Sequence, residues 1–219
     1  MKTGFFITGT DTDVGKTFVT CRILHALRKR GVNACGYKPL LCGERTDAVA
    51  LFNASSPHAD VTIDDVNPVW LRPPAAPYTA SVIEERVIDL DAVFERFDKL
   101  RGIYDCVLVE GAGGWRVPVR SDYFVSDLAE QFALPVILVT RPNLGTLNHT
   151  LLTVESIRAR GKLPLAGLVI NQSSPEVDMI SAHTNPPMLE ELSKLPILAR
   201  IAHGETEPNL SKLLDACLG

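Results

Sequence analysis

Gly9-Thr10-Asp11-Thr12-Asp13-Val14-Gly15-Lys16-Thr17 follows the apolar run Gly4–Thr8 and precedes an amphipathic stretch, Lys16–Arg30. A short strand running into a glycine-bearing loop and then into a helix is the context that phosphate binding requires. Gly15 lets the backbone approach an oxyanion, and the helix N-terminus turns amide donors and its positive dipole end towards it. Lys16 is placed to reach β- and γ-phosphates, and the Thr17 hydroxyl to ligate Mg²⁺. The spacing is irregular in one respect. Five residues separate Gly9 from Gly15, one more than the usual pattern, so Thr10 stands where that pattern has glycine.

Outward from this loop, apolar runs alternate with helical stretches. The runs are Gly4–Thr8, Asn33–Tyr37, Tyr104–Val109, Pro135–Thr140, Leu165–Ile170 and Pro196–Ile201. They are continuously apolar rather than alternating, as strands buried on both faces of a parallel sheet are. The intervening segments Lys16–Arg30, Asp91–Leu100, Asp122–Gln131, Gly145–Ala159, Pro187–Lys194 and Asn209–Leu218 read as helices. The pattern predicts an α/β fold: a doubly wound, mostly parallel sheet with helices on both faces. A single P-loop α/β domain over residues 1–219 accounts for the length. From about Ser55 to Glu85 five prolines (57, 68, 73, 74 and 77) interrupt the rhythm, and few helical signals remain. That stretch reads as a long loop, either covering substrate or running over the surface without a role.

Bulk composition narrows the partners. With 46% hydrophobic residues the chain can build a sizeable core. Lys and Arg number 22 against 26 Asp and Glu, a net charge of -4, which speaks against a nucleic-acid partner. There is no apolar run of membrane-spanning length. The N-terminal residues Met1–Gly9 lack the apolar region and cleavage site of a signal peptide and read as a first strand. The five cysteines are widely spaced without a C-x-x-C, and the five histidines are scattered. Reduced thiols in a cytoplasmic protein, without a structural metal, are the expectation.

In an open α/β sheet, ligands bind at the carboxyl ends of the strands. The second run ends in Tyr37-Lys38-Pro39, with Lys38 directed at the phosphate loop, and Asp47 follows in the opening turn of a helix. The third ends in Val109-Glu110-Gly111-Ala112-Gly113-Gly114, with Glu110 at the strand tip and a glycine-rich turn after it. Thr17, Asp47 and Glu110 can offer hard oxygen ligands to one Mg²⁺. Lys16 and Lys38 can offset charge spread over a transferred phosphoryl group.

These residues carry a resemblance. Residues 9–17, Tyr37-Lys38-Pro39, Asp47-Ala48 and Val109–Gly114 are similar to the corresponding elements of the dethiobiotin synthetases. Leu134–Val139, Leu144–His149 and Gly167–Asn171 resemble that family's fourth strand, the loop after it, and a fifth strand ending in a base-binding Asn. The resemblance implies an ATP- and Mg²⁺-dependent cyclo-ligase of biotin biosynthesis acting on 7,8-diaminopelargonate and CO₂. One amine becomes a carbamate, whose oxygen attacks the γ-phosphoryl of ATP. The second amine then displaces phosphate from the carbamic-phosphoric anhydride and closes the ureido ring.

By the same resemblance, Lys38, Lys16 and Thr12 are the catalytic residues. ATP contacts fall to Asp13, Val14, Gly15, Lys16, Thr17, Glu110, Gly113 and Asn171, and metal contacts to Thr17, Asp47 and Glu110. Substrate contacts fall to Thr12, Lys38, Cys42, Gly113 and Gly114. In a homodimer, Gly145, Thr146, Leu147 and Asn148 of the neighbouring subunit join them at the substrate's carboxylate end. Many relatives carry Ser where Cys42 stands. After the last strand this chain reads Ala199–Gly204 without the family's proline near the nucleotide base. Two other readings compete: a related ATP-dependent amidoligase, whose glutaminase domain 219 residues cannot accommodate, and a MinD/ParA-like ATP switch. A switch loop usually carries an early lysine where Asp11 and Thr12 stand here. The short tail Asn209–Gly219 also lacks the basic character of a membrane-binding helix.

Overall fold

The computed structural model describes residues 3–176 and 178–218. Met1 and Lys2 of the expected first strand and Gly219 of the tail lie outside the described residues. The chain runs β1 (Thr3–Gly9), α1 (Lys16–Lys29), β2 (Ala34–Tyr37), β3 (Leu40–Cys42), α2 (Thr46–Ala54), α3 (Ile63–Val66), β4 (Val69–Leu71), α4 (Pro77–Ile83) and α5 (Leu90–Ile103). It continues through β5 (Cys106–Gly114), β6 (Pro118–Arg120), β7 (Tyr123–Phe124), α6 (Val125–Phe132), β8 (Val136–Thr140), α7 (Thr146–Arg160), β9 (Leu165–Asn171), α8 (Met179–Ser193), β10 (Ile197–Ile201) and α9 (Ser211–Leu218).

Six strands form one parallel sheet in the order β10-β9-β8-β1-β5-β2. The doubly wound reading is therefore correct. Alternation along β2 shows how the two faces are filled. Gly36 turns towards Leu24 of α1 and Leu51 of α2, whereas Tyr37 turns to the opposite face and stacks on Phe97 of α5. There Phe132, at the end of α6, is ringed by Phe6, Tyr37, Phe94 and Phe97 at centroid distances of 6.2, 6.0, 5.1 and 4.7 Å. Each such ring stabilises the fold by roughly 1.5–3 kcal/mol through burial alone. β1 and β8 lie in register Phe6↔Val136 and Thr8↔Leu138, so Leu138 shares the face of Phe6. On that face α7 and α8 cover Leu138, Leu168 and Ile170. On the other face α9 packs beside α1 and against β1 and β10.

Three expectations are corrected. The proline-rich segment is not a structureless loop: it holds α3, β4 and α4, and β4 pairs in parallel with β3. Pro77 opens α4, where the missing N–H is tolerated. The strand expected to stop at Val109 runs on to Gly114, pairing Gly9↔Gly114 after an irregularity beside Glu110, so Glu110 stands inside a strand rather than at its tip. The helix expected from Pro187 begins at Met179, capped by Asp178, and carries Pro186 and Pro187 in its interior. Pro186 has no N–H for the Ala182 carbonyl; Arg200 of β10 donates to that oxygen instead, at 3.3 Å. Among the described residues, no helix is long and apolar enough to cross a membrane.

Candidate nucleotide and substrate site

β1 is the strand at which the winding reverses: the chain goes to one side for β2 and β5, and to the other for β8, β9 and β10. The crevice at such a reversal is where α/β sheets bind ligands. The loop between β1 and α1 is shaped for close approach. Gly15 sits at φ 85°, and a Cβ there would lie 2.1 Å from the Asn171 amide nitrogen. A Cβ at Gly9 would lie 2.7 Å from Val14 and 3.2 Å from Lys16 Nζ. The longer glycine spacing is thus accommodated with Gly9 taking up the tight contact. Asp13 adopts φ 56°, the left-handed conformation that Asp tolerates better than most residues. Lys16 Nζ donates to the Asp11 carbonyl at 3.0 Å, curling the loop over its own lysine.

The registers Ile7↔Glu110 and Tyr37↔Val109 set Lys38, one residue beyond β2, beside Glu110. The Lys38 main chain is fixed there: its N–H donates to Val66 O at 2.8 Å, and Asn67 Nδ2 donates to its carbonyl at 2.8 Å. Lys38 Nζ donates to Glu110 Oε1, and to Asp47 Oδ2 at 3.1 Å. Thr17 Oγ1 donates to the same Glu110 oxygen at 2.7 Å. Thr17, Lys38, Asp47 and Glu110 therefore form one cluster, drawn from four elements or their ends.

The electrostatics separate the two lysines. Burial, then the neighbouring Lys38 charge, pulls the Lys16 ammonium down to about 8. Burial also pulls on Lys38, but Glu110 and Asp47 more than offset it and hold this ammonium above its ordinary range. Lys38 is thus a fixed cation, and it can serve an incoming anion only by loosening a carboxylate partner.

The residues expected to bind Mg²⁺ fit a hard cation. Glu110 Oε2 is buried without a hydrogen-bond partner among the described residues. Leaving such an oxygen unsatisfied costs more than a typical hydrogen bond contributes. Two carboxylates and a hydroxyl beside a phosphate loop are the donor set that Mg²⁺ takes alongside phosphates and waters.

A cavity of about 690 Å³ opens over the cluster and is lined by Thr12, Asp13, Gly15, Lys16, Thr17, Lys38, Cys42, Asp47, Glu110 and Gly113. Its apolar wall is Leu40, Leu41, Pro74, Ala75, Ala76, Pro77, Ala112 and Val117, of which only Pro74–Pro77 fall in the proline-rich stretch expected either to cover substrate or to run over the surface. The one available signal of this wall was the unusual proline density of that segment. Cys42 faces this wall with its thiol pushed up to about 11 by burial and by the Glu84 charge. Other expected residues lie elsewhere. Val14 is fully buried. Asn171 is buried beneath the loop, where its amide donates to Val14 O at 2.9 Å. Gly114 pairs with Gly9 behind the cavity lining. Gly145, Thr146, Leu147 and Asn148 form the start of α7 and do not line this cavity; Gly145 and Asn148 are exposed.

This loop, sheet order and lysine–carboxylate cluster define a P-loop nucleotide-binding α/β protein. The family model described as AAA domain matches residues 3–207. The chain is 43% identical over 211 residues to the ATP-dependent dethiobiotin synthetase of Akkermansia muciniphila, covering 96% of this chain and 97% of the relative. It is 41% identical over 231 residues to that of Thermodesulfovibrio yellowstonii, with 100% and 95% covered. The chain belongs to the dethiobiotin synthetase family. Among solved structures, the septum site-determining protein MinD from Pyrococcus horikoshii, complexed with Mg-ADP, matches with a TM-score of 0.55 at 19% identity, covering 92% of this chain and 82% of that one. Chloroplast FtsY from Physcomitrella patens matches at 0.51 and 14%, covering 100% and 66%. These two likenesses speak for the fold alone.

Proposed function

We propose that the chain, working as one P-loop α/β domain, is a cytoplasmic dethiobiotin synthetase that closes the ureido ring of dethiobiotin from 7,8-diaminopelargonate, CO₂ and ATP. The observation carrying this reading is the Lys38–Glu110–Asp47–Thr17 cluster beneath an apolar-walled cavity, one strand away from the phosphate loop. The loop amides and Lys16 bind the phosphates, and Thr17, Asp47 and Glu110 would hold Mg²⁺. When bound, the ion offsets charge on the phosphoryl oxygens. Lys38, kept protonated, brings the carbamate oxygen and the γ-phosphoryl group together, a positioning role of the kind phosphoryl transfer needs. Thr12 and the Gly113 backbone, both in the cavity lining, orient the carbamate. The aliphatic part of the diamine lies along Leu40, Leu41 and Pro74–Pro77, where an apolar wall excludes water from the anhydride.

The reading extends to a homodimer. Leu144, Leu152, Met179 and Ile180 are all exposed on or just before α7 and α8, which pack on each other. Large apolar side chains gathered on two packed helices, rather than scattered singly, are what a contact surface requires. The first turn of α7 has amides without intrahelical acceptors and is suited to receive the substrate's carboxylate from the neighbouring subunit. The test is phosphate release measured with and without diamine and bicarbonate. A synthetase releases phosphate only with both. Equal hydrolysis of ATP alone would instead mark a nucleotide switch.

A further inference from the structure

Three threonine hydroxyls meet in the interior between the phosphate loop and the first turn of α7. Thr140 Oγ1, at the end of β8, lies 2.7 Å from Thr146 Oγ1 and 3.0 Å from Thr150 Oγ1. Thr146 and Thr150 are themselves 3.4 Å apart. Thr140 and Thr150 are fully buried and Thr146 nearly so. On its other side Thr140 Oγ1 lies 3.4 Å from the hydroxyl of Thr10 in the phosphate loop. A hydroxyl offers one donor and two acceptor lone pairs, so a ring of three can satisfy itself in a dry interior. Removing one member leaves the other two short of partners.

The surrounding contacts converge on the same short segment. The Thr10 N–H donates to Val139 O at 3.0 Å, tying the loop to β8. Asp11 and Arg141 approach to 3.9 Å across the same gap. From α8, buried Asn185 donates to the carbonyls of Pro142 and Asn143 at 3.3 and 3.2 Å. The residues leading into α7 are thus clamped from the loop, from the interior and from α8. The clamp faces inward, while Leu144 stands 86% exposed on the outer side. A polar ring is an unexpected filling for this position, because α7 could be anchored by apolar packing as its Val154 and Ile157 are. Hydroxyl contacts have directional preferences that apolar packing lacks, and they fix the register of the turn.

We propose that Thr140 is a positioning residue: its hydroxyl holds the first turn of α7 in a fixed relation to the phosphate loop of its own chain, and so sets how that turn meets the carboxylate end of the diamine. The proposal rests on the synthetase reading and on the role given there to the α7 turn. It adds that one hydroxyl joins the nucleotide loop of one subunit to the substrate-binding turn that this subunit offers its neighbour.

The experiment compares Thr140→Val, Thr140→Ser and Thr150→Val with wild type in steady-state kinetics for both substrates, in Mg-ATP binding and in thermal denaturation. Thr140→Val should raise KM for the diamine about five- to twentyfold, while kcat and the Kd for Mg-ATP stay within about twofold. Thr140→Ser, which keeps the hydroxyl, should restore the KM. Thr150→Val should raise it in the same direction, and decides the matter if Thr140→Val does not fold. A lowered melting temperature with unchanged KM would make the ring a packing feature and overturn the proposal. Parallel weakening of diamine and ATP binding would also overturn it, because the ring would then serve the loop. Wild type unable to convert the diamine overturns the synthetase reading and this proposal with it. Wild-type turnover with unmoved KM in the variants overturns the positioning role alone.

Discussion

Lys38 and Cys42 stand four residues apart on one wall of the cavity, and their environments give them different weights. Lys38 is buried between two carboxylates and held protonated, while Lys16 already occupies the loop. A cation of this kind counts most where charge develops during transfer. Lys38→Ala is expected to lower kcat by about 10²–10³-fold and to leave the Kd for Mg-ATP within a few-fold of wild type. Lys38→Arg should rescue poorly, since a planar fork does not replace a compact ammonium between Glu110 and Asp47. If nucleotide binding vanished in a folded Lys38→Ala protein, Lys38 would be an ATP ligand instead. Cys42 is a half-buried neutral thiol, a weak donor and acceptor. Cys42→Ser should therefore keep or slightly raise activity. A loss beyond about tenfold, or roughly 1.4 kcal/mol of barrier, would assign the thiol a packing or chemical role.

At the scale of elements, α6 and α7 are joined by a charged knot rather than by apolar contact alone. Arg160, the last residue of α7, donates to both Asp127 and Glu130 of α6, and Lys162 reaches Glu130 at 2.8 Å. The hydrogen bond from Arg160 holds the Glu130 carboxyl down at about 2. A carboxyl depressed in the folded state contributes stability that is present above its unfolded pKa, near 4.5, and lost as pH falls towards 2. Glu130→Gln should cost about 1–3 kcal/mol at neutral pH. It should also flatten the acid limb of a stability curve between those values; an acid limb as steep as wild type's would refute the assignment. The elements most legible in the sequence were those with a single dominant signal. The continuous apolar runs gave six sheet strands to within a few residues, and Gly-Lys-Thr marked the start of α1. The start of α8 was hidden because a Pro-Pro pair reads as a helix beginning, whereas inside α8 the distant Arg200 supplies a donor to the carbonyl that Pro186 leaves free. β5 was cut short for a similar reason: glycines at 111, 113 and 114 read as a turn, and Gly113 does take φ 63°, yet the strand resumes its pairing with β1 at Gly114. The apolar cavity wall was legible only in its proline-rich part, because Leu40 and Leu41 take their place in it only when β3 pairs with β4. Thr17, Lys38, Asp47 and Glu110, by contrast, were readable as a group, since parallel strands must end on the same edge.

For the whole molecule, the arrangement of the site raises the question of what completes it. The cavity is lined by the phosphate loop, the Lys38 cluster and the α4 approach, while the α7 turn carrying Asn148 lies outside its lining and exposed. If that turn acts at all, it acts on a neighbour, and a two-fold dimer gives each site one loop from its own chain and one turn from the other. Subunit mixing tests this directly. Lys16→Ala disables the phosphate loop and Asn148→Ala the turn, so each homodimer lacks one part at both of its sites. In a mixed dimer the two lesions fall together in one site, and the other site is assembled entirely from intact parts. Random mixing in equal amounts makes about half of the dimers mixed, each with one working site, so about a quarter of wild-type activity should return. If each site is built from one chain, both lesions remain in force and mixing restores nothing. Mixed dimers confirmed by mass, with activity no higher than the average of the two parents, would place the whole site within a single subunit.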